Sequence, residues 1–269
     1  MIHGASFVMR VALTIAGSDS GGGAGIQADL KTFQRFGVFG TSAITAITAQ
    51  NTRGVSMWEA VSTRMVRAQI DAVVEDLAPS AVKTGMLGNG EIAATVAAAI
   101  RDHSLSNYVL DPVMVATSGD VLFERAAIDI IREQLIPLAS LVTPNIDEAA
   151  LLCGETIDDE DSMARAAEKI VDMGAQAALI KGGHLESGER VVDILYDGNA
   201  RTFRGKRIVT TSTHGTGCTL SAAIAAELAK GESLHGAVRR SIEFVHNAIA
   251  TAPGLGSGHG PLNHDAPRD

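Results

Sequence analysis

The hydrophobic residues of the chain fall into short runs and longer periodic segments that alternate along the sequence. Short runs rich in Val, Ile and Ala occupy residues 11–16, 42–48, 81–84, 108–110, 140–142 and 177–180. Between them, apolar residues recur at helical spacing over residues 26–36, 66–77, 91–102, 126–135, 161–173, 218–229 and 234–251. Because the short runs lack strict polar alternation, they are typical of strands covered on both faces. The pattern predicts an α/β fold with a mostly parallel central sheet and helices on each side.

One stretch departs from this order and predicts an antiparallel edge. Residues 190–209 alternate apolar and polar side chains around the turn-like Asp197-Gly198-Asn199, which is typical of a hairpin. No internal repeat, low-complexity tract or Pro/Gly-rich linker divides the chain. We therefore expect a single domain over residues 10–264, with loose tails at residues 1–9 and 265–269.

Composition narrows the class of protein. A chain of 269 residues with 46% apolar residues can bury a full hydrophobic core. Its formal net charge of −9 leaves no basic stripe for a nucleic-acid backbone, so small molecules are the expected substrates. The sequence shows neither a signal peptide nor a run of about 18 uncharged apolar residues, and we expect a cytosolic, membrane-free protein. In that compartment Cys153 and Cys218 are expected to stay unpaired.

A glycine-rich turn is predicted where the first strand meets the first helix, in GSDSGGGAGIQADLKTF at residues 17–33. Closely spaced glycines let a small ligand approach the backbone. The spacing does not match G-x-G-x-x-G, and G-x-x-x-x-G-K-[S/T] occurs nowhere in the chain. The alternative is a tight strand-to-helix turn without a ligand.

A second glycine-rich turn opens the segment THGTGCTLSAAIAAELAKG at residues 213–231. The free N–H groups of Gly215, Thr216, Gly217 and Cys218 would lie at the positive end of the helix dipole. There they suit the charge of a transferring phosphoryl group. The same field is expected to lower the pKa of the Cys218 thiol, so that it can act as a base toward a bound hydroxyl. The alternative is a structural cysteine at a helix start.

Three further charged residues are candidates for the site. Asp111, in VLDPVM, lies at the carboxyl end of a strand, where open α/β sheets bind ligands. Glu148 lies one helical turn after Asn145, the expected helix cap, and together Asp111 and Glu148 can hold Mg²⁺ through water. Lys181 ends the strand ALIK and can contact nucleotide phosphates. The respective alternatives are a turn residue, a solvated glutamate and an exposed lysine.

Seven motifs occur in one order along almost the whole chain: GSDSGGGAGIQADLKTF, ITAQNT, KTGMLG, DPVM, TPNIDEAALL, IKGGH and HGTGCTLSAAI. From residue 11 to residue 264 the sequence resembles the hydroxymethylpyrimidine/phosphomethylpyrimidine kinases of thiamin biosynthesis, within the ribokinase-like superfamily. The resemblance implies a three-layer αβα sandwich that binds ATP, Mg²⁺ and a pyrimidine along the carboxyl ends of its strands. It also implies phosphorylation of the hydroxymethyl group and then of the resulting monophosphate, by a homodimer.

The same resemblance implies residue roles. Gln50 would hydrogen-bond the aminopyrimidine, in a pocket shaped by Gly17, Ala24, Asp29, Met86 and Val113. The GTGC segment would form the anion hole with Cys218 as base, Lys181 would contact the ATP phosphates, and Asp111 and Glu148 would organise Mg²⁺.

Two positions depart from the family pattern. Ser20 stands where many members have Pro, which predicts a more flexible turn, and Thr84 stands where a more hydrophobic residue is common.

Two other functions are alternatives. A pyridoxal kinase shares the scaffold and also phosphorylates a hydroxymethyl group, although a cysteine rather than an aspartate at the base position favours the pyrimidine. A catalytically silent pyrimidine-binding regulator would have lost Cys218, Lys181, Asp111 or Glu148, and all four are present.

Overall fold

A computed structural model describes residues 9–114, 125–183 and 188–268 of the protein. The strands are β1 Val11–Asp19, β2 Phe39–Asn51, β3 Gly54–Ala60, β4 Ala81–Thr84, β5 Tyr108–Leu110, β6 Leu141–Val142, β7 Ala178–Lys181, β8 Arg190–Tyr196 and β9 Ala200–Lys206. They form one sheet in the order β3-β2-β1-β4-β5-β6-β7-β8-β9. In this spatial order, each neighbouring pair between β2 and β7 is parallel. At one edge β3 pairs antiparallel with β2, and at the other edge β8 and β9 pair antiparallel.

Helices cover both faces of this sheet. They are α1 Gly25–Arg35, α2 Thr63–Leu77, α3 Gly90–Asp102, α4 Arg125–Ile130, α5 Ile146–Cys153, α6 Glu160–Asp172, α7 Thr216–Ala229 and α8 Leu234–Ala250. Along β1, Leu13 and Ile15 pack into the core with α2 to α6, whereas Ala12 packs into the core with α1, α7 and α8. Successive residues of a strand face opposite sides, so a sheet buried on both sides needs apolar residues throughout. The predicted three-layer sandwich is confirmed.

The predicted hairpin at residues 190–209 is also confirmed, as β8 and β9. The edge strand β3 was not predicted, because nearly all of its side chains are exposed and give no burial signal. The helix predicted over 126–135 is observed as α4, which continues as one turn of π-helix, Ile131–Leu135. Cys153 ends α5 as a buried free thiol, as expected. Across the described ranges, no helix has the length and apolar composition needed to cross a bilayer.

The C-terminal residues do not form the loose tail that was predicted at 265–269. Ala266 is fully buried in the core beside Phe36 and Phe244. Its carbonyl oxygen accepts a hydrogen bond from Arg35 Nε at 2.9 Å. A small apolar side chain and one arginine are enough to fix the segment against α1 and α8, as far as residue 268. Of the predicted N-terminal tail, residues 1–8 lie outside the described ranges.

Candidate active site

A cavity of about 1030 Å³ opens at the carboxyl ends of the parallel strands. Asp19 of β1, Gln50 of β2, Asp111 after β5 and Lys181 of β7 each line it. The first turns of α5 and α7 face the same space. Because the carboxyl ends of parallel strands lie along one edge of a sheet, side chains far apart in sequence converge there.

All but one of the predicted site residues line this cavity: Gly17, Ala24, Gln50, Met86, Asp111, Val113, Glu148, Lys181, Gly215, Thr216, Gly217 and Cys218. The exception is Asp29, which is fully buried and is not part of the lining. Asp29 forms an ion pair with Lys83 at 2.8 Å and accepts a hydrogen bond from Thr14 Oγ1 at 2.6 Å. Asp29 thus lies behind the cavity wall, on the inner face of α1, where a buried carboxylate requires a counter-charge. Its expected part in shaping the pocket stays a prediction.

The two glycine-rich turns pack backbone against backbone. Gly215 precedes α7 with a left-handed φ of 82°, and a Cβ there would overlap the carbonyl oxygen of Gly23. A Cβ on Gly23 would lie only 2.7 Å from the ring of His214. The first turn therefore lines the cavity and also supports the start of α7. Of its glycines, Gly23 is explained by this close approach, whereas Gly22 and Gly25 have positive φ values of 75° and 55°.

The Cys218 thiol does not have the lowered pKa that the sequence predicted. Burial raises the pKa of this thiol to about 11. Lys83 and a hydrogen bond from the Gly25 N–H act in the opposite direction, while the carboxylates of Asp29 and Asp111 raise the pKa further. Desolvation of the thiolate therefore raises the pKa by more than Lys83 and the Gly25 N–H lower it.

Alkylation of Cys218 should consequently become faster with rising pH well beyond neutrality. The thiolate is the reactive form, and a raised pKa means that its fraction is still growing at about pH 9 to 10. The measurement is the rate of iodoacetamide modification in a Cys153→Ala background, which leaves Cys218 as the only thiol of the chain. A rate that levels off below about pH 8 would show that the helix start lowers the pKa after all.

Asp111, Glu148 and Lys181 form a charged cluster on the cavity wall. Lys181 Nζ lies 3.0 Å from Asp111 Oδ1, and a Cβ on Gly217 would lie 3.1 Å from the same Nζ. The glycine thus lets the ammonium approach the start of α7. Asp111 and Glu148 are 1% and 3% exposed, and the Lys181 side chain is 14% exposed. The interpretations as a solvated glutamate and an exposed lysine are therefore wrong. Asp111 does lie in the loop after β5, and its buried side chain pairs with Lys181.

Glu148 has two functions in the local structure. Its Oε2 accepts a hydrogen bond from the Asn145 N–H at 2.8 Å and completes the capping box of α5, which confirms Asn145 as the cap. Burial raises the pKa of the Glu148 carboxyl to about 7. The Asp111 carboxylate also acts to raise this pKa, whereas Lys181 acts to lower it. A second positive charge near this pair would offset the burial of two carboxylates.

The two carboxylates suit a hydrated divalent cation. Carboxylate oxygens are the donors that Mg²⁺ prefers, and Mg²⁺ keeps several water or phosphate ligands. Nowhere in residues 9–114, 125–183 and 188–268 do three or more Asp, Glu, His or Cys side chains form a cluster that could hold a metal ion by themselves. Asp111 and Glu148 therefore fit Mg²⁺ bound largely through water and phosphate.

Two cavity residues without a predicted role form a hydrogen bond at the junction of the two turns. His214 Nε2 lies 2.9 Å from Asp19 Oδ2. Asp19 also accepts hydrogen bonds from the N–H groups of Gly21, Gly23 and Ala24. Burial alone would raise the pKa of the Asp19 carboxyl, but these hydrogen bonds, led by that of His214, hold it below its usual value. An acidic residue in one glycine-rich turn and a histidine directly before the other were the only signals in the sequence.

The two departures from the family pattern are accommodated by hydrogen bonds. Ser20 Oγ donates to the Gln50 carbonyl oxygen and accepts from the Gln50 N–H, both at 2.8 Å. Ser20 thus ties its turn to β2 through contacts that a proline side chain cannot make, whereas the sequence predicted a more flexible turn. Thr84 is fully buried, and its hydroxyl pairs with Tyr108 Oη at 2.8 Å.

Comparison with known proteins decides the family. A family model described as phosphomethylpyrimidine kinase matches residues 19–263. The chain belongs to the phosphomethylpyrimidine kinase family. It is accordingly a kinase, and the predictions of the ribokinase-like fold and of the enzyme class are confirmed.

Individual relatives agree with this assignment. The chain is 54% identical over 258 residues to the hydroxymethylpyrimidine/phosphomethylpyrimidine kinase of Rhizobium meliloti (strain 1021), covering 94% of this chain and 96% of the relative. It is 50% identical over 256 residues to the corresponding kinase of Bacillus subtilis (strain 168), covering 95% and 94%. Among solved structures, the ADP complex of Bacillus subtilis pyridoxal kinase superposes with a TM-score of 0.90 at 43% identity, covering 96% of this chain and 98% of the other.

Proposed function

We propose that this kinase transfers a phosphoryl group from ATP to the hydroxymethyl group of 4-amino-5-hydroxymethyl-2-methylpyrimidine, and a second one to the monophosphate, in thiamin biosynthesis. The supporting observation is that one cavity contains Gln50, whose amide can pair with an aminopyrimidine, together with Lys181 and the GTGC helix start. A pocket that ends in backbone N–H donors suits a hydroxyl acceptor and equally its phosphate. The names of the two kinase relatives described above support the same two reactions.

The proposed chemistry is an in-line displacement at the γ-phosphorus. The hydroxymethyl oxygen attacks phosphorus while its proton passes to the Cys218 thiolate, and the bond to the bridging oxygen breaks to release ADP. The N–H groups of Gly215, Gly217 and Cys218 would hold the phosphoryl oxygens, whereas that of Thr216 donates to the Thr213 carbonyl oxygen at 3.3 Å. Lys181 would neutralise negative charge on the phosphates. Mg²⁺ held by Asp111 and Glu148 would supply further charge neutralisation when bound.

Product analysis tests this function directly. The protein is incubated with ATP, Mg²⁺ and the hydroxymethylpyrimidine, and monophosphate and diphosphate are separated by anion exchange. Both products should form in sequence. A parallel assay with pyridoxal tests the second candidate, which the close likeness to a pyridoxal kinase structure favours. Formation of pyridoxal 5′-phosphate alone would overturn the proposal, and a lack of any product would indicate the silent regulator.

Activity should depend completely on a divalent cation. Lys181 is already paired with Asp111, and the chain as a whole carries a net charge of −9, so a cation is needed to neutralise a triphosphate beside two buried carboxylates. We expect turnover to disappear in excess EDTA and to return when Mg²⁺ is added. Full activity in the presence of the chelator would remove the metal role of Asp111 and Glu148.

We also propose a cytosolic homodimer. The edge strand β3 exposes Val55, Met57 and Trp58, with Met57 62% exposed, and Ile47 of β2 adds a further apolar side chain. Exposed apolar strands at a sheet edge are commonly covered by a partner. Light scattering should give about twice the chain mass of 27.9 kDa, and Met57→Lys should shift the protein toward the monomer. A wild type that is monomeric at micromolar concentration would contradict the dimer.

A further inference from the structure

The side-chain amide of Gln50 lies between two polar neighbours. Its Nε2 is 3.4 Å from His214 Nε2, and its Oε1 is 3.3 Å from Thr48 Oγ1. The two ends of a carboxamide have nearly the same shape, so the hydrogen-bonding partners decide which end is the oxygen and which the nitrogen. The identity of each neighbour as donor or acceptor therefore determines how the amide is oriented.

Thr48 can only accept a hydrogen bond from Gln50. A hydroxyl group has a single proton to donate, and Thr48 Oγ1 donates it to the Ser18 carbonyl oxygen at 2.8 Å, which is its shorter contact. The end of the Gln50 amide that faces Thr48 should therefore be the NH₂ group.

His214 can only donate. Its Nε2 is 2.9 Å from Asp19 Oδ2, and that carboxylate, whose pKa is held below its usual value, is ionised and accepts only. The proton of the imidazole consequently lies on Nε2. The same N–H can donate a second, shared hydrogen bond to Gln50 only when the amide oxygen of Gln50 faces it. Thr48 and His214 thus independently require the same orientation, with Oε1 toward His214 and Nε2 toward Thr48.

We propose that His214, fixed by Asp19, is a positioning residue that orients the Gln50 carboxamide and thereby selects a ligand with an amino group beside its hydroxymethyl group. This inference rests on the proposed function. His214 immediately precedes the GTGC segment, so the amide oxygen faces the side of the cavity where phosphoryl transfer would occur.

The chemistry of the proposed substrate matches this orientation. Its 4-amino group is next to the reacting 5-hydroxymethyl group, and its ring nitrogen N3 lies on the far side of the amino-bearing carbon. Gln50 Oε1 would accept from the amino group, and Gln50 Nε2 would donate to N3. The opposite orientation would place donor against donor and acceptor against acceptor, which loses both hydrogen bonds.

Steady-state kinetics of His214→Ala tests the proposal. With the hydroxymethylpyrimidine as substrate, KM should rise about tenfold or more, the effect of roughly one lost hydrogen bond, while kcat stays within about threefold. The decisive probe is 5-hydroxymethyl-2-methylpyrimidine, which lacks the amino group. On this analogue KM should rise clearly less in His214→Ala than it does on the parent substrate, because a misoriented amide then loses only the hydrogen bond to N3 and faces no amino group.

Two further variants separate orientation from folding. His214→Gln keeps an N–H donor and should restore at least part of the KM, whereas Thr48→Val removes the acceptor with little change of shape and should raise KM in the same amine-dependent way. His259→Ala is the matched control, since this histidine is near Thr213 rather than Gln50 and is not part of the cavity lining.

The outcomes are distinguishable. An equal rise of KM for both substrates in His214→Ala would indicate general loosening and overturn the orienting role, as would an unchanged KM in both His214→Ala and Thr48→Val. If His214→Ala does not fold, the KM values of Thr48→Val on the two substrates decide whether the amide is oriented as proposed. Failure of the wild type to phosphorylate the pyrimidine at all would overturn the proposed function, and this inference with it.

Discussion

Cys218→Ala should fold and bind the pyrimidine nearly normally, yet lose at least about a hundredfold in kcat for the hydroxymethyl substrate, the smallest effect usual for a general base. The backbone N–H groups at the start of α7 do not depend on the side chain, so the anion hole should persist. Because burial raises the pKa of the Cys218 thiol to about 11, its thiolate is a minor form near neutral pH but a strong base once formed. Cys218→Ser should be intermediate or equally poor, because a hydroxyl ionises far less readily than a thiol.

The second phosphorylation is an internal control for this variant. A phosphate monoester with a second pKa near 6 is already ionised at neutral pH, so its oxygen has no proton for a base to remove. The rate with the monophosphate should fall much less in Cys218→Ala, by under about tenfold. Equal losses in both steps would indicate that the thiol matters for packing. A kcat above about a third of the wild-type value for the first step would assign the base to another group.

Gly215→Ala should be the most destabilising single-methyl change in the two turns, and it should abolish phosphoryl transfer. The residue has a φ of 82°, and its new Cβ would overlap the Gly23 carbonyl oxygen. Neither atom can move without separating α7 from the first glycine-rich turn. We expect a loss of more than about 4 kcal/mol in the free energy of unfolding, measured by urea denaturation.

Gly231→Ala is the matched control at the other end of α7. Gly231 has a comparable φ of 87°, but its Cβ would meet nothing within 4 Å. This variant should therefore lose only the cost of a left-handed alanine, about 1–2 kcal/mol, and keep its activity. Similar losses in the two variants would mean that backbone strain alone matters and that the contact between the turns contributes little.

The fold was largely predictable from local signals. Runs such as 108–110 and 177–180 are apolar at every position, and this pattern needs no knowledge of the partner strand. The edge strand β3 escaped prediction because its side chains are exposed. The packing of the C-terminal segment at Ala266 was not predicted, because a single alanine that is buried among residues far away in sequence produces no periodic hydrophobic pattern.

For the site, the sequence by itself determined that Asp111, Lys181 and Cys218 stand at strand ends or a helix start and would face one cavity, whereas Gln50 was expected there only from the family resemblance. The tertiary structure alone decided how their charges and protons behave. Desolvation and ion pairing depend on distances between residues remote in the chain. This is why the pKa of Cys218 is raised rather than lowered, and why Asp29 pairs with Lys83 in the core. It is also why Asp19 and His214, 195 positions apart, meet beside Gln50.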